Sequence, residues 1–248
     1  MISSGLLLLA DSRLPSGGHG HSGGVEALVD RGLLRTEADL ALFLDGRLRA
    51  GAEVPAAAAA AACALAGLQE SHFAATTLQE SGFPATGCPG TPWARWDAAL
   101  SARMPSAALR AASWAQGSAL LRTVALAWPG PAVDALRALP HVHHPLVLGV
   151  AAAGAAASPA EAAALALHHL VGGACTAVVR LLGLDPIAVA AVAAAAGRTA
   201  EPVARHATAA ALLAVTADDP ALLPTAGSPL HDVLAQLHRS SEATLFAS

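Results

Sequence analysis

Residues 158–186 read SPAEAAALALHHLVGGACTAVVRLLGLDP. Ser158 is a helix-capping residue whose side-chain oxygen accepts an orphan backbone N–H, and the proline after it lacks the N–H that would otherwise go unsatisfied. Glu161 stands three residues after Ser158, which is the spacing of a capping box. Asp185-Pro186 repeats the start signal, so the stretch predicts a helix over 159–182 and the beginning of another at once after it.

The same start signals recur along the chain at Thr91-Pro92 and Ser228-Pro229, and Thr36 with Asp39 has capping-box spacing. Evidence for strands is thin, because Val and Ile are sparse, Tyr is absent and no apolar/polar alternation is bounded by hairpin dipeptides. The sequence therefore predicts an all-α protein: one domain over residues 1–248, a bundle of about ten helices, with a flexible loop near 81–91. The predicted helices lie near 22–31, 37–50, 55–80, 92–103, 106–128, 131–138, 145–157, 159–182, 186–197, 201–216 and 229–242.

The composition is unusually poor in charge. Hydrophobic residues make up 54% of the 248 residues and charged residues 13%, about half the usual share. All fourteen basic residues are arginines and the net charge is −4, which gives nucleic-acid binding no electrostatic support. An apolar surface of this kind favours stable protein partners. Trp93 and Trp96, which share a helix face with Leu100, are predicted to anchor the core or an interface.

Other classes of protein are weighed against this composition. Three apolar segments are uncharged: 56–68 and 146–157 are too short to span a membrane, and 162–179 carries His168 and His169 at its centre. A membrane-embedded protein is kept as a minor alternative. No secretory signal is visible, so a cytoplasmic location is expected. The three cysteines are widely spaced and indicate neither disulfides nor a zinc site.

The most unusual segment is a strip near the amino terminus, residues 9–26, which reads LADSRLPSGGHGHSGGVE. Five glycines in so short a stretch imply left-handed backbone or close approach between chain segments. The strip lacks the Gly-Lys-Ser/Thr ending of a phosphate-binding loop, and no serine in it has a nucleophile-elbow context. The strip therefore gives no support to a hydrolase or a nucleotidase.

The order of residues in the strip resembles the amino-terminal signature of the UreF family of urease accessory proteins. The matching elements are Asp11-Ser12, Leu14-Pro15-Ser16-Gly17, His19 with His21, and Ser22-Gly23-Gly24-Val25-Glu26. His19 departs from the signature, since most members carry Phe there. Similar islands follow in the same order at 110–121, 144–149, 177–181 and 245–248.

Two departures concern contacts with partners. Thr244 and Ala247 stand where relatives usually have arginines, and Gly183-Leu184-Asp185-Pro186 replaces a Gly-Gln-x-x-Gln stretch. Arg180 lies in an otherwise apolar helix, where an unpaired buried guanidinium would be costly. It either snorkels or pairs with a carboxylate such as Asp185, or it serves an interface.

The resemblance implies a helical, non-catalytic scaffold for nickel insertion into apo-urease. Members of the family dimerise, join a UreD/UreH-type accessory protein and recruit the UreG-type GTPase, with a proposed influence on its GTP hydrolysis. No catalytic, cofactor or metal residue is assigned. The candidate interface residues are Asp11, Pro15, Gly17, His19, His21, Ser22, Gly24, Glu26, Arg110, His144, Arg180, Leu245 and Phe246.

The alternative from another class is a histidine-ligated nickel-binding metallochaperone. The eleven histidines include the clusters His19-Gly20-His21 and His141-Val142-His143-His144, and neutral imidazole is a common nickel ligand. A buried site normally needs three or four ligands with supporting partners, so this spacing is weak support. His168-His169 cannot chelate one ion together, because neighbours on a helix point about 100° apart, and one of them is predicted to face the core.

Overall fold

The computed structural model describes residues 3–15, 22–77 and 92–239. These ranges contain eleven α-helices, one short 3₁₀ helix and no strand, so the predicted all-α fold is confirmed. The helices are α1 Ser4–Ala10, α2 Val25–Asp30, α3 Glu37–Ala50, α4 Glu53–Thr77, α5 Pro92–Ala102, α6 Ala107–Ala127, α7 Pro131–Arg137, α8 His144–Gly154, α9 Pro159–Leu182, α10 Pro186–Thr216 and α11 Pro229–Arg239, with the 3₁₀ helix Pro220–Leu222 between the last two.

The capping residues act as their spacing predicts. At the start of α9 the Glu161 backbone N–H donates to Ser158 Oγ at 3.3 Å, and the Ser158 N–H donates to Glu161 Oε2 at 2.7 Å. Thr36 and Asp39 form the same reciprocal box at α3. Each box satisfies backbone donors that a helix start would otherwise leave unpaired. The predicted beginnings and ends of α3 and α9 are confirmed to the residue.

The prediction of separate helices over 186–197 and 201–216 is wrong, because α10 continues through Pro202. Proline inside a helix costs roughly 3 kcal/mol, since it removes a hydrogen bond and crowds the preceding turn. Here α10 packs along α3, α4 and α9. Its buried contacts lie on both sides of the proline, at Val189 and at Ala207. Packing therefore holds the helix together where local propensity would break it.

The short helix α1 is missing from the predicted set. Ser3 Oγ accepts the Leu6 N–H and donates to the Ala155 carbonyl at 2.7 Å, so one side chain both caps α1 and ties it to the end of α8. Seven residues are too few for an isolated helix to be stable in water. Its existence depends on these tertiary contacts, which the sequence pattern does not reveal.

The helix α4 lies at the centre of the molecule, against α8, α9 and α10. Residues 56–62 are seven consecutive alanines, and all of them are fully buried. A helix with apolar residues on every side is typically buried among other parts of the protein. Gly149 lets α8 approach α4 closely, because a Cβ there would overlap the Ala59 carbonyl and lie 2.7 Å from the Ala62 Cβ.

The large aromatic side chains of α5 complete the core. Trp93, Trp96 and Leu100 are all at most 1% exposed, which confirms their predicted shared buried face. Cys63 is buried and its thiol contacts the Ala157 carbonyl at 3.3 Å. Burial raises the pKa of that thiol to about 12, so Cys63 is an inert core residue. The predicted loop near 81–91 lies outside the described residues.

By length and composition alone, two helices in the described part of the chain could cross a membrane, Pro159–Leu182 and Pro186–Thr216. A third is possible if α3 and the first part of α4, which meet at a bend of 56°, are taken as one span. The first of these helices is the one that carries His168 and His169, and close to half of its apolar window is buried within the protein.

Candidate partner-binding site

The end of α1 is held by the two adjacent histidines of α9. His169 donates from Nε2 to the Leu9 carbonyl at 2.8 Å, and His168 Nε2 lies 3.3 Å from the Ala10 carbonyl. His169 is partly buried and His168 is exposed, so the prediction that one of the pair faces inward is confirmed. Burial lowers the pKa of His169, which keeps the ring neutral and its single N–H directed at Leu9.

Asp11 follows α1 directly and forms a bidentate ion pair with Arg13, the shortest N–O distance being 2.7 Å. The hydrogen bonds from Arg13 lower the pKa of the Asp11 carboxyl to about 2. Pro15 lies further along the strip, and its carbonyl accepts a hydrogen bond from Thr123 Oγ1 of α6 at 3.0 Å. The ion pair holds the turn after α1 within the strip, and the hydrogen bond from Thr123 fixes the strip on the helical body. Gly17, His19 and His21 lie outside the described residues.

The second half of the strip forms the start of α2. Ser22 is fully buried and its Oγ accepts the Glu26 N–H at 3.3 Å. Gly24 is the N-cap residue with φ of +94°, in the left-handed region that glycine adopts without strain. Glu26 is 4% exposed and lies in the first turn of α2, where the helix dipole favours a carboxylate.

A cleft of about 380 Å³ lies beside the strip and is bounded by α3, α5, α6, α8, α9 and α11. Two of the predicted residues line it, Asp11 and His144, together with Gly23 from the strip. The His144 backbone N–H donates to Ser113 Oγ at 3.3 Å, and its ring lies 6.1 Å from that of His169. The structure therefore brings the amino-terminal strip and the start of α8 to one site.

The remaining predicted residues lie elsewhere or outside the description. Arg110 donates to the carbonyls of Met104 and Pro105 at 2.5 and 2.9 Å, which closes the turn between α5 and α6. Arg180 is exposed in the last turn of α9, where a cation complements the helix dipole, so its guanidinium is not buried. Neither arginine lines the cleft. Leu245 and Phe246 lie outside the described residues.

Two rings of the histidine cluster 141–144 pack on a tryptophan. Trp114 of α6 stacks against His141 and His143, with ring centroids 5.0 and 5.2 Å away. His143 is fully buried. Its backbone N–H donates to Asp97 Oδ1 at 2.7 Å, and its ring Nε2 lies 2.8 Å from Ser101 Oγ. Burial, reinforced by the nearby Arg110, lowers the pKa of His143 to about 4. In the described residues no group of three or more His, Cys, Asp or Glu side chains could hold a metal ion.

Three polar residues of the cleft escape prediction from sequence. Arg47 of α3 and His231 of α11 both line it, and Arg47 is near enough to lower the pKa of His231. Arg103 also lines it and donates to four backbone carbonyls, those of Ala99, Ala221, Leu223 and Pro224. They come from elements far apart in the chain, so no local motif marks them.

Comparison with known proteins shows the family of the chain. The family model described as UreF matches residues 34–197, which is well over half of the chain.

The chain belongs to the UreF family.

Its UreF relatives match over nearly their full lengths. The urease accessory protein UreF of Mycolicibacterium vanbaalenii is 39% identical over 243 residues, covering 98% of this chain and 97% of the relative. The proteins of the same name from Mycobacterium sp. (strain JLS) and Mycobacterium marinum are 37% and 36% identical, with the same coverage. The resemblance read from the glycine strip is confirmed. These relatives are named as accessory proteins of urease and not as urease itself.

Within the UreF match lie Arg110, His144 and Arg180, together with Arg47 of the cleft. The strip before α2 and the helix α11 flank the matched region, one at each end of the chain. The cleft is therefore built where the two ends of the chain meet the matched helical body.

Proposed function

We propose that this UreF family member is a scaffold for nickel insertion into apo-urease. It bridges a UreD/UreH-type accessory protein and the UreG-type GTPase, and influences GTP hydrolysis by the latter. It works in the cytoplasm as a homodimer, without binding nucleic acid or a membrane, and it catalyses no reaction of its own. Family membership supports the place in urease maturation; the division of labour among partners is the proposal.

The observation that carries the scaffold role is the exposed apolar face of α11. Leu230, Val233 and Leu237 are 65%, 55% and 45% exposed and follow one another at helical spacing. His231 and Leu234 of the same helix are buried, and Leu234 lies one turn after Leu230, at the edge of the exposed stripe. A surface helix normally points its polar side at water. An apolar stripe that stays exposed on the outer face of a helix supports a protein partner there, because exposed apolar patches mark interaction sites.

The position of this face relates it to the rest of the site. The helix α11 packs against α2 and α6, and Gln236 accepts the Ala108 N–H at the start of α6 at 3.0 Å. The helix is thus held on the body by contacts within the chain. A partner on its outer face would also lie near Gly24 of the strip, which contacts His231. This arrangement gives one continuous surface that joins the first and last parts of the described chain.

The histidine-ligated metallochaperone is not proposed. In the cluster 141–144, the rings of His141 and His143 both stack on Trp114, and Nε2 of His143 lies 2.8 Å from Ser101 Oγ. No observation in the described ranges favours nickel binding by this chain itself.

Co-expression with UreD-type and UreG-type homologues tests the scaffold. The double substitution Leu230→Asp with Val233→Asp places two carboxylates on the apolar face, and we expect it to abolish co-purification of at least one partner and to lower urease activation in cells at least tenfold. The control is Leu42→Asp, at an isolated leucine of α3 that is 75% exposed, and it should leave both readouts unchanged.

Helix content by circular dichroism establishes that both variants are folded. The proposal fails if the double variant binds both partners normally. It also fails if the unaltered chain is a monodisperse monomer that binds neither.

A further inference from the structure

Arg47 presents an unmatched guanidinium to the cleft. In the described part of the chain its side chain makes no hydrogen bond and no ion pair, although it lies partly buried between the fully buried Leu44 and Leu48. A guanidinium carries five N–H donors, and a buried charge without partners is costly. Burial lowers the pKa of Arg47 to about 10, which still leaves it charged at neutral pH.

The neighbouring charged groups are engaged elsewhere. Asp232 acts on Arg47 electrostatically, but it forms no ion pair with it and lies in the first turn of α11, where the helix dipole stabilises the carboxylate. Asp11 is paired with Arg13, and Arg103 is occupied by four backbone carbonyls. Burial and the nearby Arg47 lower the pKa of His231 well below its ordinary value, so that ring is neutral. Among the described residues that line the cleft, Arg47 is therefore the arginine that has neither a hydrogen bond nor an ion pair.

The rest of the cleft is apolar. Phe43, Val54, Leu100, Met104, Leu109 and Leu170 contribute to its walls. Its volume of about 380 Å³ falls within the range of roughly 300–1,000 Å³ that small-molecule sites occupy. A ligand that fits has one anionic end for Arg47 and an apolar remainder.

We infer that this cleft binds a carboxylate attached to an apolar group, with Arg47 as its bidentate partner. The planar fork of arginine matches a carboxylate or a phosphate. A single guanidinium without a hydrogen bond among the described lining residues suits a monoanion, and Asp232, which also lines the cleft, would repel a phosphate dianion more strongly than a monoanion. The inference is independent of the scaffold role, because it concerns a ligand within the cleft and not the outer face of α11. The carboxylate comes either from a free acid or from the end of a polypeptide.

Calorimetric titration of the full chain with two pairs of probes tests this site. The first pair is hexanoate and hexanamide; the second is N-acetyl-Leu-Leu with a free carboxylate and the same dipeptide with its carboxyl group amidated. We expect at least one acid to bind, and its amide to bind at least tenfold more weakly. Binding of hexanoate alone would identify a free acid as the source, and binding of the dipeptide alone would identify a chain end.

Two variants assign the binding to Arg47. We expect Arg47→Gln to weaken binding of the acid at least tenfold, because it removes the charge and the fork. The matched control is Arg49→Gln on the same helix, where the arginine is 67% exposed and pairs with Asp45. It makes the same change of charge outside the cleft and should bind normally.

The inference is overturned if neither acid binds at millimolar concentration, if acid and amide bind equally, or if Arg47→Gln binds like the unaltered chain. Should Arg47→Gln fail to fold, Arg47→Lys keeps the charge and loses the fork, and its binding must still weaken. Loss of the scaffold function in the α11 variants with unchanged acid binding would separate the two proposals.

Discussion

Gly24 and His231 lie against each other where α2 begins beside α11. A Cβ at Gly24 would come within 2.7 Å of His231 Nδ1, and the backbone there has φ of +94°. We therefore expect Gly24→Ala to lower the free energy of unfolding by about 2–4 kcal/mol, since it combines left-handed strain with displacement of a buried ring. Urea denaturation measures the change.

Gly23→Ala is the control for this substitution. Its φ is +61°, but no atom lies within 4 Å of an added Cβ. Gly23→Ala introduces only the left-handed backbone strain, so it should lower the free energy of unfolding by about 1–2 kcal/mol. Equal losses in the two variants would contradict the contact with His231.

Gly149 sets the distance between α8 and α4. An added Cβ overlaps the Ala59 carbonyl in the middle of the buried alanine run, where neither backbone can retreat. We expect Gly149→Ala to cost at least about 3 kcal/mol, at the upper end of what overpacking a core usually costs. Thermal denaturation followed by circular dichroism is the measurement.

The opposite sign is expected at Gly197 of α10. No atom lies within 4 Å of a Cβ there, so Gly197→Ala should stabilise the chain by up to about 1 kcal/mol through helix propensity. A destabilised Gly197→Ala together with a neutral Gly149→Ala would disprove the packing described for α4 and α8.

Arg103 joins the end of α5 to the segment before α11. It donates to the carbonyls of Pro224, Leu223 and Ala221 at 2.8, 2.8 and 2.9 Å, and to that of Ala99 in the last turn of α5 at 2.8 Å. Glutamine can replace only part of this set, so Arg103→Gln should cost about 2–4 kcal/mol.

Hydrogen exchange should show faster opening of residues 219–226 in this variant, because these carbonyls lose their donor. Arg205→Gln, at an exposed arginine of α10, is the control and should match the unaltered chain. Unchanged exchange in both variants would show that Arg103 does not hold the segment.

The buried His143 makes stability depend on pH. Its pKa is about 4 in the folded protein and about 6.5 when unfolded. Between these values the unfolded chain binds more protons, so stability falls as the pH drops from 6.5 toward 4. The full effect of this one group is up to about 3 kcal/mol.

Urea denaturation at pH 7.5 and pH 4.5 measures the dependence. His143→Gln should be less stable than the unaltered chain at pH 7.5, and its free energy of unfolding should fall less between pH 7.5 and pH 4.5. His206→Gln, at an exposed histidine, should retain the full dependence. A pH dependence that is identical in the two variants would exclude His143 as its source.

Local signals predict where helices begin, because a capping side chain and the backbone it satisfies are a few residues apart. Ser158, Thr36 and Asp185 cap as predicted. Tertiary contacts decide the rest. Packing against three helices keeps α10 helical through Pro202. Hydrogen bonds from Ser3 and from the α9 histidines hold α1 in place. Local helix propensity therefore predicts neither the continuous α10 nor the existence of α1.

The candidate site could be predicted only in part. Asp11 and His144 were found because they lie in recognisable islands of sequence, and both line the cleft. Arg47 and His231 were missed, since only the folded chain brings α3 and α11 together. Gly17, His19, His21, Leu245 and Phe246 remain predictions outside the described residues.

The alanine run of α4 limits how this protein can vary. Seven successive positions face neighbours in every direction, so none of them offers a side on which a larger residue could be accommodated. Random substitution of residues 56–62 should therefore yield almost only alanine, glycine or serine among functional clones, whereas the outer half of α10 should accept most amino acids. Over evolution, substitutions should therefore accumulate at exposed positions, while residues 56–62 of α4 stay nearly unchanged.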